Sequence, residues 1–127
     1  MRLLLDTHTL IWWDSDPGRL SSVALSAIRE PANEILLSAV SVWEMVIKAQ
    51  LNKMSLRLPL ADMVAQQKAN GLRILGVTVE HVLAVEGLPS IHKDPFDRLL
   101  AAQARLEQFH LVTSDPAFRG FGILLLW

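Results

Sequence analysis

The strongest constraint on this chain is a transition that recurs along it: a short block of apolar residues gives way to a polar residue and then to a helical pattern. Residues 2–5 (RLLL) stop at Asp6-Thr7, and residues 35–37 (ILL) stop at Ser38. A strand with one wet face alternates apolar and polar side chains. A block that is apolar throughout must be covered on both faces, as in the interior of a parallel sheet. Residues 74–77, 111–113 and 123–126 read as further short strands, so four or five are expected.

The segments between the blocks have helical spacing. Leu10, Ile11 and Trp13 give a short helix, followed by the turn sequence Asp14-Ser15-Asp16-Pro17-Gly18. Ser21 and Ser22 are candidate caps for a helix whose Val23, Ala24, Ala27 and Ile28 share one side before Pro31. Ser41 precedes Val42, Met45, Val46 and Ala49, and Glu44 follows it at the spacing of a capping box, which sets Glu44 in the first helical turn. Pro59 opens a helix that stops at Asn70-Gly71, and Thr78 caps one that ends by Gly87-Leu88-Pro89. Pro95 stands in the first turn of the last helix, with Leu99, Leu100, Ala102 and Leu106 as its apolar side. Helices between buried strands supply the crossovers that parallel neighbours require. The expected fold is α/β: three layers with a central, mainly parallel four- to five-stranded sheet, formed as one domain over residues 1–127.

Apolar residues make up 51 % of the chain and charged ones 20 %, enough to build a packed core and too apolar for disorder. No apolar run reaches the roughly 18 residues of a membrane span, and Asp6 comes too early for a signal peptide, so the chain reads as cytoplasmic. Cysteine is absent, which excludes disulfides, thiolate metal sites and cysteine nucleophiles. A net charge of −1 gives no overall attraction to nucleic acid. Between Met45 and Leu75, however, Lys48, Lys53, Arg57, Lys68 and Arg73 stand against Asp62 alone. That local excess either faces phosphates or is a solvated helix surface.

In an open parallel sheet the functional crevice lies beyond the carboxyl ends of the strands. Asp6 ends the first strand, Glu44 opens the helix after the second, Asp97 lies in a first helical turn, and Asp115 follows the fourth strand. Acids at helix starts also stabilise helices by a few tenths to about 1 kcal/mol with no chemistry, so no single one is diagnostic. Asp6 is the least explained in that way, because a charge at the end of a buried strand needs a partner or a cation to offset its desolvation. Gathered together, the acids raise one another's pKa values unless a divalent cation neutralises them, and oxygen-only donors suit Mg²⁺ or Mn²⁺. Such ions catalyse phosphodiester hydrolysis. His8, His92 and His110 are too scattered for a zinc pattern, and His81, on a helical stretch, reads as structural.

Four segments, LLLDTHTLIWW (3–13), LSAVSVWEMVIK (37–48), HKDPFDRLLAAQA (92–104) and LVTSDPAF (111–118), span nearly the whole chain. They resemble PIN-domain ribonucleases, and among these the VapC-type toxins of type II toxin-antitoxin pairs. The resemblance implies catalytic metal ligands at Asp6, Glu44, Asp97 and Asp115, with Asp94 as the alternative to Asp97 and otherwise the N-cap of that helix. It also implies Mg²⁺ or Mn²⁺, an RNA substrate, homodimerisation and a cognate antitoxin protein, with no membrane. Thr7, Ser41 and Thr113 bring hydroxyls beside the acids, to hold a metal-bound water or shape the cluster; Ser41 is equally well a cap.

Two other readings are weighed against this. A haloacid-dehalogenase-like phosphatase also begins with an apolar strand ending in aspartate, but it needs a second aspartate two residues on, where this chain has His8. A receiver-type phosphoacceptor lacks its lysine. A PIN-like scaffold that only binds a partner would show the loss of an acid, and all are present. Trp12, Trp13, Trp43, Met45, Met54 and Met63 exceed what a small core must hold, so part of this set is expected to line a groove for an antitoxin helix or a second copy.

Overall fold

The computed structural model describes residues 1–127. Five strands, β1 (Arg2–Leu5), β2 (Glu34–Ser38), β3 (Arg73–Leu75), β4 (His110–Val112) and β5 (Leu124–Leu126), form a sheet in the order β3-β2-β1-β4-β5. Every pairing is parallel. Six helices connect them: α1 (Thr7–Ser15), α2 (Ser22–Arg29), α3 (Ala39–Gln50), α4 (Leu60–Ala69), α5 (Val79–Ala84) and α6 (Pro95–Glu107). This is the three-layer α/β/α arrangement that the apolar blocks demand.

β1 is the central strand, and Leu3, Leu4 and Leu5 are wholly buried. Leu3 and Leu5 pack on one side with Leu10, Ile28, Leu37, Met45 and Met63. Leu4 packs on the other with Leu36, Leu100, Ala101, Leu111 and Phe121. Burial on both faces is why β1 carries no polar alternation. Truncating a leucine here to alanine costs about 2–5 kcal/mol. Leu5 is level with Leu37 on one neighbour and with Val112 on the other. The central strands therefore end together, and the polar residues that follow them gather at one edge.

The strand boundaries differ slightly from those expected, with β3 at 73–75 and β4 at 110–112. A larger correction concerns α3. Its N-cap is Ser38, whose Oγ accepts from the Val40 N–H at 3.1 Å. Ser41 is inside the first turn, its hydroxyl buried with no hydrogen-bond partner, and Glu44 is in the second turn. β2 runs into α3 without a loop, so the last strand residue does the capping. The expected tryptophan and methionine groove is also absent. Met45 and Met63 are core, Met54, Trp12 and Trp13 pack against it, and Trp43 alone is widely exposed, its ring edge-on to Phe96. An apolar cavity of about 540 Å³ lies instead between α3 and α4, lined by Val42, Val46, Leu60 and Val64. No helix is long and apolar enough to cross a membrane.

Candidate active site

Asp6 leaves β1 and caps α1. Its Oδ1 accepts from the Thr9 N–H at 2.7 Å and its Oδ2 from the Thr113 hydroxyl just past β4. Thr9 in turn donates its hydroxyl to the Val112 carbonyl at 2.9 Å, which pins the start of α1 to β4. Only 6 % of Asp6 is exposed. Burial pushes its carboxyl above the ordinary range, against the pull of the Thr113 and Thr9 hydrogen bonds.

Glu44 reaches the same edge from α3. Its Oε1 accepts from Thr7 Oγ1 at 2.7 Å, and its Oε2 pairs with Lys48 Nζ at 2.6 Å, one helical turn on. That carboxylate raises the Lys48 ammonium above its usual value. Asp94 is the N-cap of α6, accepting from the Asp97 N–H at 3.0 Å. Asp97 extends inward and meets His92 Nε2 at 2.7 Å. Burial raises the Asp97 pKa, His92 opposes this, and the charges of Asp94 and Glu44 raise it further. Asp115 is exposed and caps a short 3₁₀ turn through the Ala117 N–H at 2.9 Å. Its own N–H donates to Thr113 Oγ1 at 3.0 Å, so one threonine hydroxyl joins Asp115 to Asp6.

These residues surround a cavity of about 290 Å³ at the carboxyl end of the sheet, lined by Asp6, Thr7, Glu44, Asp94, Asp97 and Asp115 among others. His8, Lys48, His92 and Phe118 complete its wall. The acids ring the cavity without meeting in it: no three His, Asp or Glu side chains form a ready-made cage. The donor set nevertheless fits a hydrated Mg²⁺ or Mn²⁺. It is all hard oxygen, each carboxylate oxygen keeps acceptor capacity beyond the bonds it makes, and Mg²⁺ retains several waters while taking one or two carboxylates. Five acids facing a single lysine, itself held by Glu44, leave negative charge for a cation to neutralise.

The PIN domain family profile matches residues 3–124. The chain belongs to the PIN domain family. This PIN domain is 36 % identical over 118 residues to Ribonuclease VapC22 of Mycobacterium tuberculosis, an alignment covering 92 % of this chain and 89 % of that protein. Its fold is shared with VapBC2 from Rickettsia felis bound to a promoter DNA fragment, at a TM-score of 0.71 and 16 % identity over 98 % of this chain and 97 % of that one. A toxin-antitoxin complex from Klebsiella pneumoniae matches at a TM-score of 0.61 and 19 % identity, over 94 % and 92 % of the two chains.

Sequence reasoning brought Asp6, Glu44, Asp97 and Asp115 to one edge of this PIN domain, with Asp94 as the alternative to Asp97, and all five line the cavity. Thr7 and Thr113 do contact the acids, whereas Ser41 bonds none of them. The basic residues between Met45 and Leu75 are not gathered at the cavity. Arg57 pairs with Asp14 at 3.0 Å and Arg73 with Glu34 at 2.7 Å; of that stretch only Lys48 reaches the cavity. Lys48 and His92 were missed as site residues. The spacing of Glu44 and Lys48 on one helix was a usable signal, while His92 precedes its helix in a loop with no periodicity to read.

Proposed function

We propose that this PIN domain is a metal-dependent ribonuclease acting as the toxin of a type II toxin-antitoxin pair, with Mg²⁺ or Mn²⁺ held by Asp6, Glu44, Asp97 and Asp115. The observation that carries the chemistry is the acid-lined cavity at the carboxyl end of the parallel strands. The relationship to Ribonuclease VapC22 supports RNA as the substrate, and the fold shared with a toxin-antitoxin complex supports a cognate antitoxin as partner. Homodimerisation belongs to the same reading.

A divalent ion held by these acids would supply Lewis-acid polarisation of the phosphate and lower the pKa of water. The protein's part is placement. Thr9 and Thr113 fix the direction of both Asp6 oxygens, and Thr7 does the same for Glu44 Oε1. Lys48 steadies Glu44 and keeps further N–H donors for a phosphate oxygen. Asp94 acts through the backbone, capping the first turn of α6 that carries Asp97, which supports Asp97 as the ligand. His92 orients Asp97 through Oδ2.

Incubating the purified protein with structured RNA tests this. Cleavage that requires Mg²⁺ or Mn²⁺ and is lost in Asp6→Asn is expected. RNA left intact under those conditions would reduce the protein to a binding module.

A further inference from the structure

An acidic cavity repels the polyanion it is meant to cut, and a chain of net charge −1 offers no general attraction to compensate. A local cation on the approach is needed, and half of the twelve lysines and arginines are already engaged, Lys48 among them through Glu44. Arg57 and Arg73 are paired with acids, while Arg2, Arg98 and Arg105 donate to backbone carbonyls. Arg19, Arg29, Arg119, Lys53, Lys68 and Lys93 are exposed and make no ion pair, and of these Arg19 alone is held over an aromatic ring, its guanidinium 4.8 Å from the centre of Trp12. It ends the 3₁₀ turn Pro17–Arg19, whose proline fixes the backbone there.

Trp12 is itself held in place. It packs against the core, and the Trp127 ring meets it edge-on with centroids 6.0 Å apart. One helical turn back along α1, the His8 ring lies 5.9 Å from it, tilted by 43°. His8 is exposed and is also part of the cavity wall. From the cavity outward, His8 and Trp12 on α1 and Arg19 on the turn that follows it thus bring an imidazole, an indole and a guanidinium into successive contact.

We infer that this His8–Trp12–Arg19 row seats the unpaired RNA strand that flanks the cleaved bond. Flat rings and a guanidinium stack on any base, and the in-plane N–H groups of an arginine so held stay free to bind phosphate. Unpaired RNA is the form whose bases are available for stacking. An apolar partner helix would find here a charged rim in place of a hydrophobic groove. The inference rests on the ribonuclease reading and adds to it where the strand lies and that it is single.

The test uses a labelled single-stranded RNA oligonucleotide and the whole protein in EDTA, where the metal-dependent cleavage is off, with binding followed by anisotropy across a salt series. Arg19→Ala is expected to weaken binding about tenfold and to reduce the slope of log K against log salt by about 0.7, the loss of one phosphate contact on a single strand. Arg19→Lys should restore the slope and only part of the affinity, and His8→Ala should weaken binding about fivefold. In cleavage assays, Arg19→Ala should raise KM with little change in kcat. Arg29, exposed at the end of α2 near the opposite edge of the sheet, provides the control, and Arg29→Ala should bind as wild type does. Equal losses in Arg19→Ala and Arg29→Ala, or none in either, would overturn the row while leaving the nuclease intact. A change of sedimentation in Arg19→Ala with unaltered oligonucleotide binding would also overturn it and assign the face to a second copy. Wild-type protein that neither binds nor cuts RNA would remove both readings together.

Discussion

The protein buries polar side chains in two neighbouring places, and the two are built on opposite rules. Around Gln103, wholly buried on α6, every group has a complementary partner. Its Oε1 accepts from the Ser38 hydroxyl, and its Nε2 donates to the Gly76 carbonyl at 3.3 Å and to His81 Nδ1 at 3.2 Å. His81 Nδ1 also accepts from the Thr78 N–H, and with Nδ1 accepting, the proton sits on Nε2, 2.9 Å from Glu107. At the cavity, by contrast, like charges crowd together, and the carboxyls of Asp6 and Asp97 are pushed upward by burial. A fully paired network fixes the packing of α5 and α6 on the sheet; an under-compensated one leaves interaction energy for a ligand to collect.

The sharpest way to break this contrast is to neutralise the acid and keep its shape. In Asp6→Asn the amide oxygen still caps α1 through the Thr9 N–H, so the fold should persist while RNA cleavage falls by about 10³-fold or more. Retention of a tenth of the rate would mean Asp6 is only a cap. Gln103→Leu should do the reverse. By stripping partners from Ser38, Gly76 and His81 it should cost about 2–4 kcal/mol in urea unfolding, with activity per folded molecule largely kept. A variant as stable as wild type would show that those groups find other partners.

Two weaker effects sharpen the comparison. Mn²⁺ at about 100 times its Kd should stabilise the wild type by about 2.7 kcal/mol, visible as a rise in Tm that EDTA reverses and that Asp6→Asn largely lacks. An equal rise in both proteins would place the ion elsewhere. The smallest effect is electrostatic and is read without metal. Asp6 and Asp97 hold their protons more tightly folded than unfolded, so their contribution to stability is most favourable below the ordinary 3.8 and falls as pH rises through the elevated folded values. Asp6→Asn should therefore melt above wild type at pH 7, and its advantage should shrink as the pH drops toward 3.8. A lead that persists in acid would trace to packing instead of charge.

The sheet was legible because burying both faces of a strand removes polar residues from it, and that leaves an unbroken mark at Leu3-Leu4-Leu5 and Ile35-Leu36-Leu37. The five acids were legible for a related reason, since each follows the end of a strand or stands near the start of a helix. The start of α3 was misplaced because Ser38 and Ser41 are serines a turn apart, and the spacing from Ser41 to Glu44 imitates a capping box. Ser38 does double duty at a junction with no loop, a role local spacing does not encode. The basic stretch stayed open between two readings because the partners of Arg57 and Arg73, Asp14 and Glu34, lie about forty positions away along the chain. Charge pairing across a fold becomes visible only once the fold is assembled.

The sheet order carries a consequence for timing. β1 is made before the other strands, yet one of its two neighbours is β4, made after β2, β3 and all six helices, and the Thr113 hydroxyl that completes Asp6 follows β4 directly. A ribosome that has passed Glu44 but not yet Asp97 holds a chain with half of its acids and an unpaired edge on β1. The acid set is therefore complete only once β4 has closed against β1 and Asp115 has followed it.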